Sequence, residues 1–502
     1  MEEVLLGIDI GTSSCKVALF NERGAVLDQQ TESYNVYYPN EGWAEQDPNE
    51  WWTEVSKAIK VMLKRKKVDP AQIKGIGVDG QSWSAIPIDK NGTVLGNTPI
   101  WMDQRAQKIC DEWNKKIGEE AFFKVSGNPF KPTYSLPKIL WFKKHQPELF
   151  SNVNKFLQSN SYIVYKLTGK ISQDKSQGYG LHCIDMRTGK YDQSMLEVLE
   201  LSQSLFPEIY ECHQIVGHTT EAIYLETGLP AGIPVVAGGL DAACGALGAG
   251  VISPGETQEQ GGQAGGMSIC IEEYKADPRL ILSYHVVPNK WLLQGGTVGG
   301  AGVARWMLNS FCHLEKAAAK KNKTNQFYEM ERSMKKIPAG SEGVIFLPYM
   351  AGERSPIWNP DAKGVYYGLD FTKEKEHLIR AGYEGVAFSL KHNLEVAESL
   401  GLEIKELRSI GGAANSLIWT QIKSDVTGKK IVVPSSDTAT TLGAALLAGV
   451  AVGIYKDFED AVEKTVSTQR VHDPDRSSEA VYSKLYSDYR LIYQQLKPVM
   501  TK

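Results

Sequence analysis

Two aspartates bracketed by glycines, each closing an apolar run, constrain this chain more than anything else in it. Asp9 stands in Leu5-Leu6-Gly7-Ile8-Asp9-Ile10-Gly11-Thr12-Ser13-Ser14, and Asp241 ends Val235-Val236-Ala237-Gly238-Gly239-Leu240-Asp241. Both read as strand ends that open into tight loops. Glycine lets backbone approach a phosphate, Thr12, Ser13 and Ser14 supply hydroxyls, and a strand-end carboxylate can hold a divalent cation or accept a proton. The pair implies phosphoryl transfer from a nucleotide.

With 502 residues the chain is too long for one ordinary core, so two domains are expected. A hydrophobic share of 42% and a charged share of 23% fit a soluble globular protein. The formal charge of −4 offers no general field for nucleic acid or an anionic membrane. The Lys64–Lys67 and Lys320–Lys323 clusters are short and read as solvated helix ends. No window reaches the ~20 apolar residues of a membrane span, and Met1-Glu2-Glu3 leads into a strand without a secretory pattern. The seven cysteines are dispersed without CxxC spacing, which predicts reduced thiols in a cytoplasmic setting. Cys15 and Cys244, beside the aspartate loops, read as small packing residues rather than nucleophiles. His145, His182, His285 and His392 lack triad or metal spacing and read as structural or surface residues.

The first segment predicts a meander: Val4 to Ile10, Cys15 to Phe20, a turn over Asn21–Gly24, and Ala25 to Gln30, in a mixed sheet. Helical spacing from Trp51 to Lys64 follows the entry signal Asp47-Pro48, and Ile73 to Val78 reads as another buried strand. From Cys110 to Glu226 the pattern is mostly helical and irregular. After Asp241 it restarts, with strands at Met267–Ile271, Leu292–Gln294 and Val344–Leu347 and long helices at Glu376–Leu400 and Asn415–Val426. Repeated Gly-Gly pairs in this half imply a backbone that must come close to a ligand, and a nucleotide is the simplest candidate.

In order along the chain, several short segments resemble the FGGY carbohydrate kinases of the sugar kinase, actin and heat-shock ATPase superfamily. They include Gly7-Ile8-Asp9-Ile10-Gly11-Thr12-Ser13, Trp43-Ala44-Glu45-Gln46-Asp47-Pro48, Trp101-Met102-Asp103-Gln104-Arg105 and Lys138-Ile139-Leu140-Trp141. Further on come Gly352-Glu353-Arg354-Ser355-Pro356, Gly411-Gly412-Ala413-Ala414-Asn415 and Thr441-Leu442-Gly443-Ala444-Ala445. The segments around Trp43 and Gly352 look most like the xylulokinase branch. The resemblance implies an α/β fold of two actin-like (ribonuclease H-like) domains around a central cleft. Residues 1–247 would carry sugar binding and the phosphate loop, 255–450 nucleotide binding, and 451–502 a helical segment packed on both.

By the same resemblance, Asp241 is the general base and Asp9 the Mg²⁺ ligand, while Gly11, Thr12 and Ser13 line the phosphate path. Gly262 and Gln263 would face the γ-phosphate, with Gly299, Gly300 and Ala301 as a neighbouring nucleotide wall. Gly411, Gly412, Ala413 and Asn415 would form the adenine turn. Sugar contacts are expected from Gln81, Ser82, Trp83, Trp101, Asp103 and Asp241; the alternatives are core packing for Trp101 and a structural ion pair between Asp103 and Arg105. The implied activity is ATP-dependent phosphorylation of a ketopentose, D-xylulose to D-xylulose 5-phosphate first, with ATP, Mg²⁺ and a small sugar or polyol as ligands. Family members are often dimers, so a homodimer is compatible with the pattern.

Two departures matter. Xylulokinases usually place Met-His where this chain has Ser82-Trp83, which opens the substrate to another pentulose, a polyol or gluconate. Gln263 replaces a hydroxyl-bearing position opposite the γ-phosphate, which leaves open a slower enzyme or a sugar-binding regulator.

Overall fold

The computed structural model describes residues 3–436 and 438–500. Two compact units emerge. The first gathers residues 1–252, 270–292 and 438–467, and the second 253–269, 293–437 and 468–502.

In the first unit the alternating N-terminal segment forms β1 (Val4–Ile10), β2 (Ser14–Asn21) and β3 (Val26–Ser33). With β4 (Ile73–Gly80), β5 (Ile215–His218) and β6 (Pro234–Val236) the sheet order is β5-β6-β4-β1-β2-β3, and β7 (Gly239–Leu240) pairs with the end of β4. The sheet is mixed as expected, β1 running antiparallel to β2 and parallel to β4. Helix α1 (Pro48–Lys64) begins where Asp47 accepts the Asn49 N–H and Pro48 fills the first turn. Its buried face, Trp51, Val55, Ile59 and Met62, joins Leu6, Ile8, Val17 and Leu19 in one core.

On the other face, glycines let backbones touch. A Cβ on Gly7 would lie 2.2 Å from the Thr441 carbonyl oxygen, and one on Gly77 1.8 Å from that of Ala444. The helix Ala439–Ala451 therefore seats directly on β1 and β4. It packs equally close on α4 (Asp241–Gly248), where a Cβ on Gly443 would fall 1.8 Å from the Cys244 carbonyl oxygen.

The second unit centres on a hairpin, β8 (Glu256–Gly261) and β9 (Gly265–Ile271), flanked by β10 (Trp291–Thr297) on one side. On the other lie β11 (Glu406–Ile410), β12 (Ile431–Pro434) and β13 (Thr468–His472). Helices α5 (Ala301–Phe311), α6 (Lys375–Ser399), α7 (Leu417–Thr427) and α8 (Glu479–Met500) cover it. Phe346, Phe388, Trp419 and Tyr489 anchor that core. The two long helices predicted here form within two residues of their expected bounds.

Among the described residues no helix is long and apolar enough to cross a membrane. All seven cysteines are buried thiols. Burial pushes the Cys15 thiol up to about 12 and raises that of Cys244 well above the usual thiol value, so neither is a nucleophile at neutral pH.

Candidate active site

In the first unit, register brings three carboxylates together. Asp9 on β1 lies opposite Asp79 on β4, Gly239 on β7 also lies opposite Asp79, and Asp241 follows as the first residue of α4. Asp79 is fully buried, and among the described residues no amide or hydroxyl donates to either of its oxygens. Burial first, then the charge of Asp9, raises it well above the carboxylate range, which favours its protonated form. Burial raises Asp9 too, opposed by the Asp79 hydrogen bond and by Lys16 across the ladder. Asp241 is pushed up to about 7, by burial and then by the Asp9 charge, against the Ala242 N–H at 2.6 Å. A carboxylate poised there suits proton abstraction near neutrality.

A buried network fixes the strand that delivers Asp241. The Ser176 hydroxyl accepts the Leu240 N–H at 2.8 Å and donates to Asp174 at 2.6 Å. Asn160, on α3 (Ser159–Thr168), donates to Asp174 and to the Ala237 carbonyl. The Gln177 amide donates to the Gly80 and Gln81 carbonyls. One cluster thus ties the ends of β4 and β7 together.

The Gly11–Ser13 loop leaves β1 in a turn closed by Gly11 N–H to Ser14 O. Its carbonyls are held from beneath: Tyr34 donates to Gly11 and Gln46 to Thr12. Thr12 and Ser14 are half-buried and Ser13 is exposed. Trp101 joins this loop directly, its indole N–H donating to the Thr12 hydroxyl at 2.9 Å.

Other predicted sugar residues divide. Gln81 is buried and its amide N–H is spent on Gln46 and Gly11, although its Oε1 takes no donor. Ser82 is half-buried. Trp83 sits at φ 64°, with its ring 4.4 Å from that of Tyr134 and 5.9 Å from that of Tyr179. Asp103 does what the structural alternative described: fully buried, it accepts the Ala44 N–H and pairs with Arg105, which also reaches Glu45 and covers the Trp43 ring. Its carboxylate binds two chain segments together, and its hydrogen-bonding capacity is consumed there.

In the second unit, Ala301, Gly412, Ala413 and Asn415 line one cavity of about 500 Å³ with Tyr383, Trp419 and Glu331. The volume is within the range of small-molecule sites. Gly411, at φ 84°, lies beneath it against Gly261, whose added Cβ would be 2.4 Å from that of Ala413. Gly262 and Gln263 form the β8–β9 turn, and Gln263 is exposed. Their carbonyls accept the Ala301 and Gly302 N–H groups, so the first amides of α5 are committed to the hairpin and are closed to phosphate. Gly299 and Gly300 pack behind that turn, a Cβ on Gly300 falling 2.3 Å from the Ala264 carbonyl carbon. Beneath the hairpin, Lys423 and Glu259 make a buried ion pair at 2.6 Å. Glu353, pushed up to about 7 by burial, accepts the Val298 and Arg354 N–H groups and braces the approach to Gly299.

Sequence reasoning missed Asp79, Gln46 as a loop strut, and Glu331. Asp79 carries the signal that flagged Asp9, an apolar run closing in Asp-Gly. Glu331 carries none, sitting among the charges of the helix Gln326–Met334.

Strand-end carboxylates in one α/β unit and a glycine-lined cavity in the other define a nucleotide-dependent phosphotransferase. The model of the FGGY family of carbohydrate kinases matches residues 4–248 with its N-terminal domain and 270–452 with its C-terminal domain. The chain belongs to this family and is a sugar kinase, a phosphotransferase with an alcohol acceptor. It is 30% identical to a xylulose kinase of Staphylococcus epidermidis, over 99% of this chain and 98% of that one. It is also 30% identical to a gluconokinase of Bacillus licheniformis, over 97% and 94%. A solved xylulose kinase of Rhodospirillum rubrum superimposes with a TM-score of 0.89 at 27% identity, covering 100% of both chains.

Proposed function

We propose that this chain transfers the γ-phosphoryl group of ATP to a terminal hydroxyl of a ketopentose, with D-xylulose to D-xylulose 5-phosphate the best-supported reaction. The observation that carries this reading is Asp241 at the mouth of β7, a base whose carboxylate forms near pH 7. Asp241 takes the hydroxyl proton as the sugar oxygen bonds to the γ-phosphorus and the bond to ADP breaks. In the first unit Thr12 and Ser13 carry donors suited to phosphate oxygens; in the second, Gln263 carries an amide donor and the Ala413–Asn415 cavity has room for an adenine. Among the described residues no group of three or more His, Cys, Asp or Glu has metal-binding geometry. Kinases hold Mg²⁺ through one or two carboxylates together with phosphates. Asp9 would be the ligand, and the ion would neutralise phosphate charge.

Gluconate is the second reading, supported by equal identity to a gluconokinase and by Trp83 in place of the histidine usual in xylulokinases. ADP release with Mg²⁺-ATP across D-xylulose, L-xylulose, ribulose, gluconate, tetritols and glycerol, with a no-sugar control, tests both. Release greatest with D-xylulose is expected. A higher kcat/KM for gluconate moves the assignment there, and ATP binding without any sugar-dependent release favours the regulator.

A further inference from the structure

The Lys138 ammonium occupies a position that no role above explains. Lys138 lies on α2 (Ser135–His145), a helix whose first two turns are buried, and is itself 0% exposed. It forms no salt bridge. Instead its Nζ donates to three backbone carbonyls: Trp83 at 2.9 Å, Ile100 at 2.7 Å and Thr133 at 2.6 Å. Each acceptor belongs to a different loop. Trp83 ends the Gln81-Ser82-Trp83 segment, Ile100 immediately precedes Trp101, and Thr133 immediately precedes Tyr134, whose ring packs on Trp83.

An ammonium has three N–H donors and all three are used; a neutral amine has two. Burying a cation costs several kcal/mol unless strong acceptors surround it, so a lysine in this place needs a return. No apolar residue could join the three carbonyls: without the ammonium, Ile100 would keep only the Asp103 N–H, and the Trp83 and part-buried Thr133 carbonyls would each lose the Nζ donor. The nearby charges are Asp103, which favours the cation, and Arg105, which opposes it and is itself held by Asp103 and Glu45. Burial brings the ammonium down to about 7, opposed by the charge of Asp103, while the three carbonyls take its donors.

Resting on the sugar-site reading of Gln81–Trp83 and Trp101, we infer that Lys138 is the positioning residue that sets the three sugar-facing loops in register with one another. It touches no substrate. Its removal therefore acts mainly on sugar recognition: the 500 Å³ cavity lies in the second unit, and the loops reach the Gly11–Ser13 loop only through the Trp101 hydrogen bond to Thr12, beside Ile100.

Lys138→Met keeps the length and removes the donors; Lys138→Gln keeps two and covers the case in which the Met variant fails to fold. The sugar KM, for whichever sugar of the panel wild type uses, should rise about tenfold or more in the Met variant and less in the Gln variant, from the loss of up to three buried hydrogen bonds. The ATP KM should stay within about twofold. Hydrogen exchange should quicken together at 81–85, 99–104 and 131–135, with the second unit unchanged. An unchanged sugar KM, sugar and ATP KM values rising in step, or faster exchange confined to α2 would overturn the inference. If wild type itself shows no sugar-dependent ADP release, the kinase reading fails, and the exchange pattern alone decides whether Lys138 couples the loops.

Discussion

The two units solve the same problem at their strand ends with opposite means. In the first, β1, β4 and β7 each lead to a carboxylate, and the site is made of charge: burial raises Asp9 and Asp241, and burial with the Asp9 charge raises Asp79 well above the carboxylate range. In the second, the β8–β9 turn and the Gly411–Asn415 turn deliver almost no side chain, and the site is made of space. Electrostatic positioning of this kind acts on the transition state, whereas shape acts on binding. Substitutions should therefore separate, lowering kcat at the carboxylates of the first unit and raising the nucleotide KM in the cavity of the second.

The sharpest separation is Asp241→Asn. Transfer should fall by about 10²–10⁴, the usual contribution of a general base, while calorimetry finds ATP affinity unchanged. The same variant should be more stable than wild type at pH 8. The folded pKa of Asp241 lies above its unfolded value, so the wild-type fold loses stability as pH rises from about 4 through about 7, by roughly 1–4 kcal/mol. A destabilised variant in thermal melts at pH 8 would contradict the burial argument.

Next is Gly412→Val. A Cβ there meets nothing within 4 Å, so the fold has room and the side chain enters the nucleotide cavity. An ATP KM raised about tenfold with an unaltered sugar KM is expected, the size of a small steric intrusion. A parallel rise in both constants would dissolve the contrast between the units.

Ser176→Ala should be milder, lowering kcat several-fold by releasing the Leu240 N–H while the sugar KM holds. Ser176→Thr, retaining the hydroxyl, should recover part of it. The smallest effect expected is Trp83→His, which should reorder preference among the sugars without abolishing turnover; the same ranking of kcat/KM in the variant would place Trp83 outside the sugar's reach.

The contrast also explains what could be read in advance. Charge sites announce themselves, since Asp9 and Asp241 interrupt apolar runs, and α1 was legible from its Asp47 cap and its 3.6-residue spacing. Asp79 obeyed the same rule but lay one residue past the apolar run of Ile73–Val78, on a strand that extends to Gly80. Asp103 could not be resolved from sequence, because the Ala44 N–H that occupies it lies 59 residues away. Space is harder to read. The seating of the helix Ala439–Ala451 on the first unit depends on Gly7 and Gly77, residues whose contribution is an absent side chain. Glu331 enters the nucleotide cavity from a helix whose charges resemble any solvated face.

The measurement closest to the central claim is the single-turnover rate of phosphoryl transfer against pH, using the sugar that supports the fastest ADP release. It isolates chemistry from product release, so its inflection reports the base. The rate should climb with pH and level off above about 7, as the Asp241 carboxylate forms. A rate independent of pH from 5.5 to 8.5, or the same climb persisting in Asp241→Asn, would contradict the assignment of Asp241 as the proton acceptor.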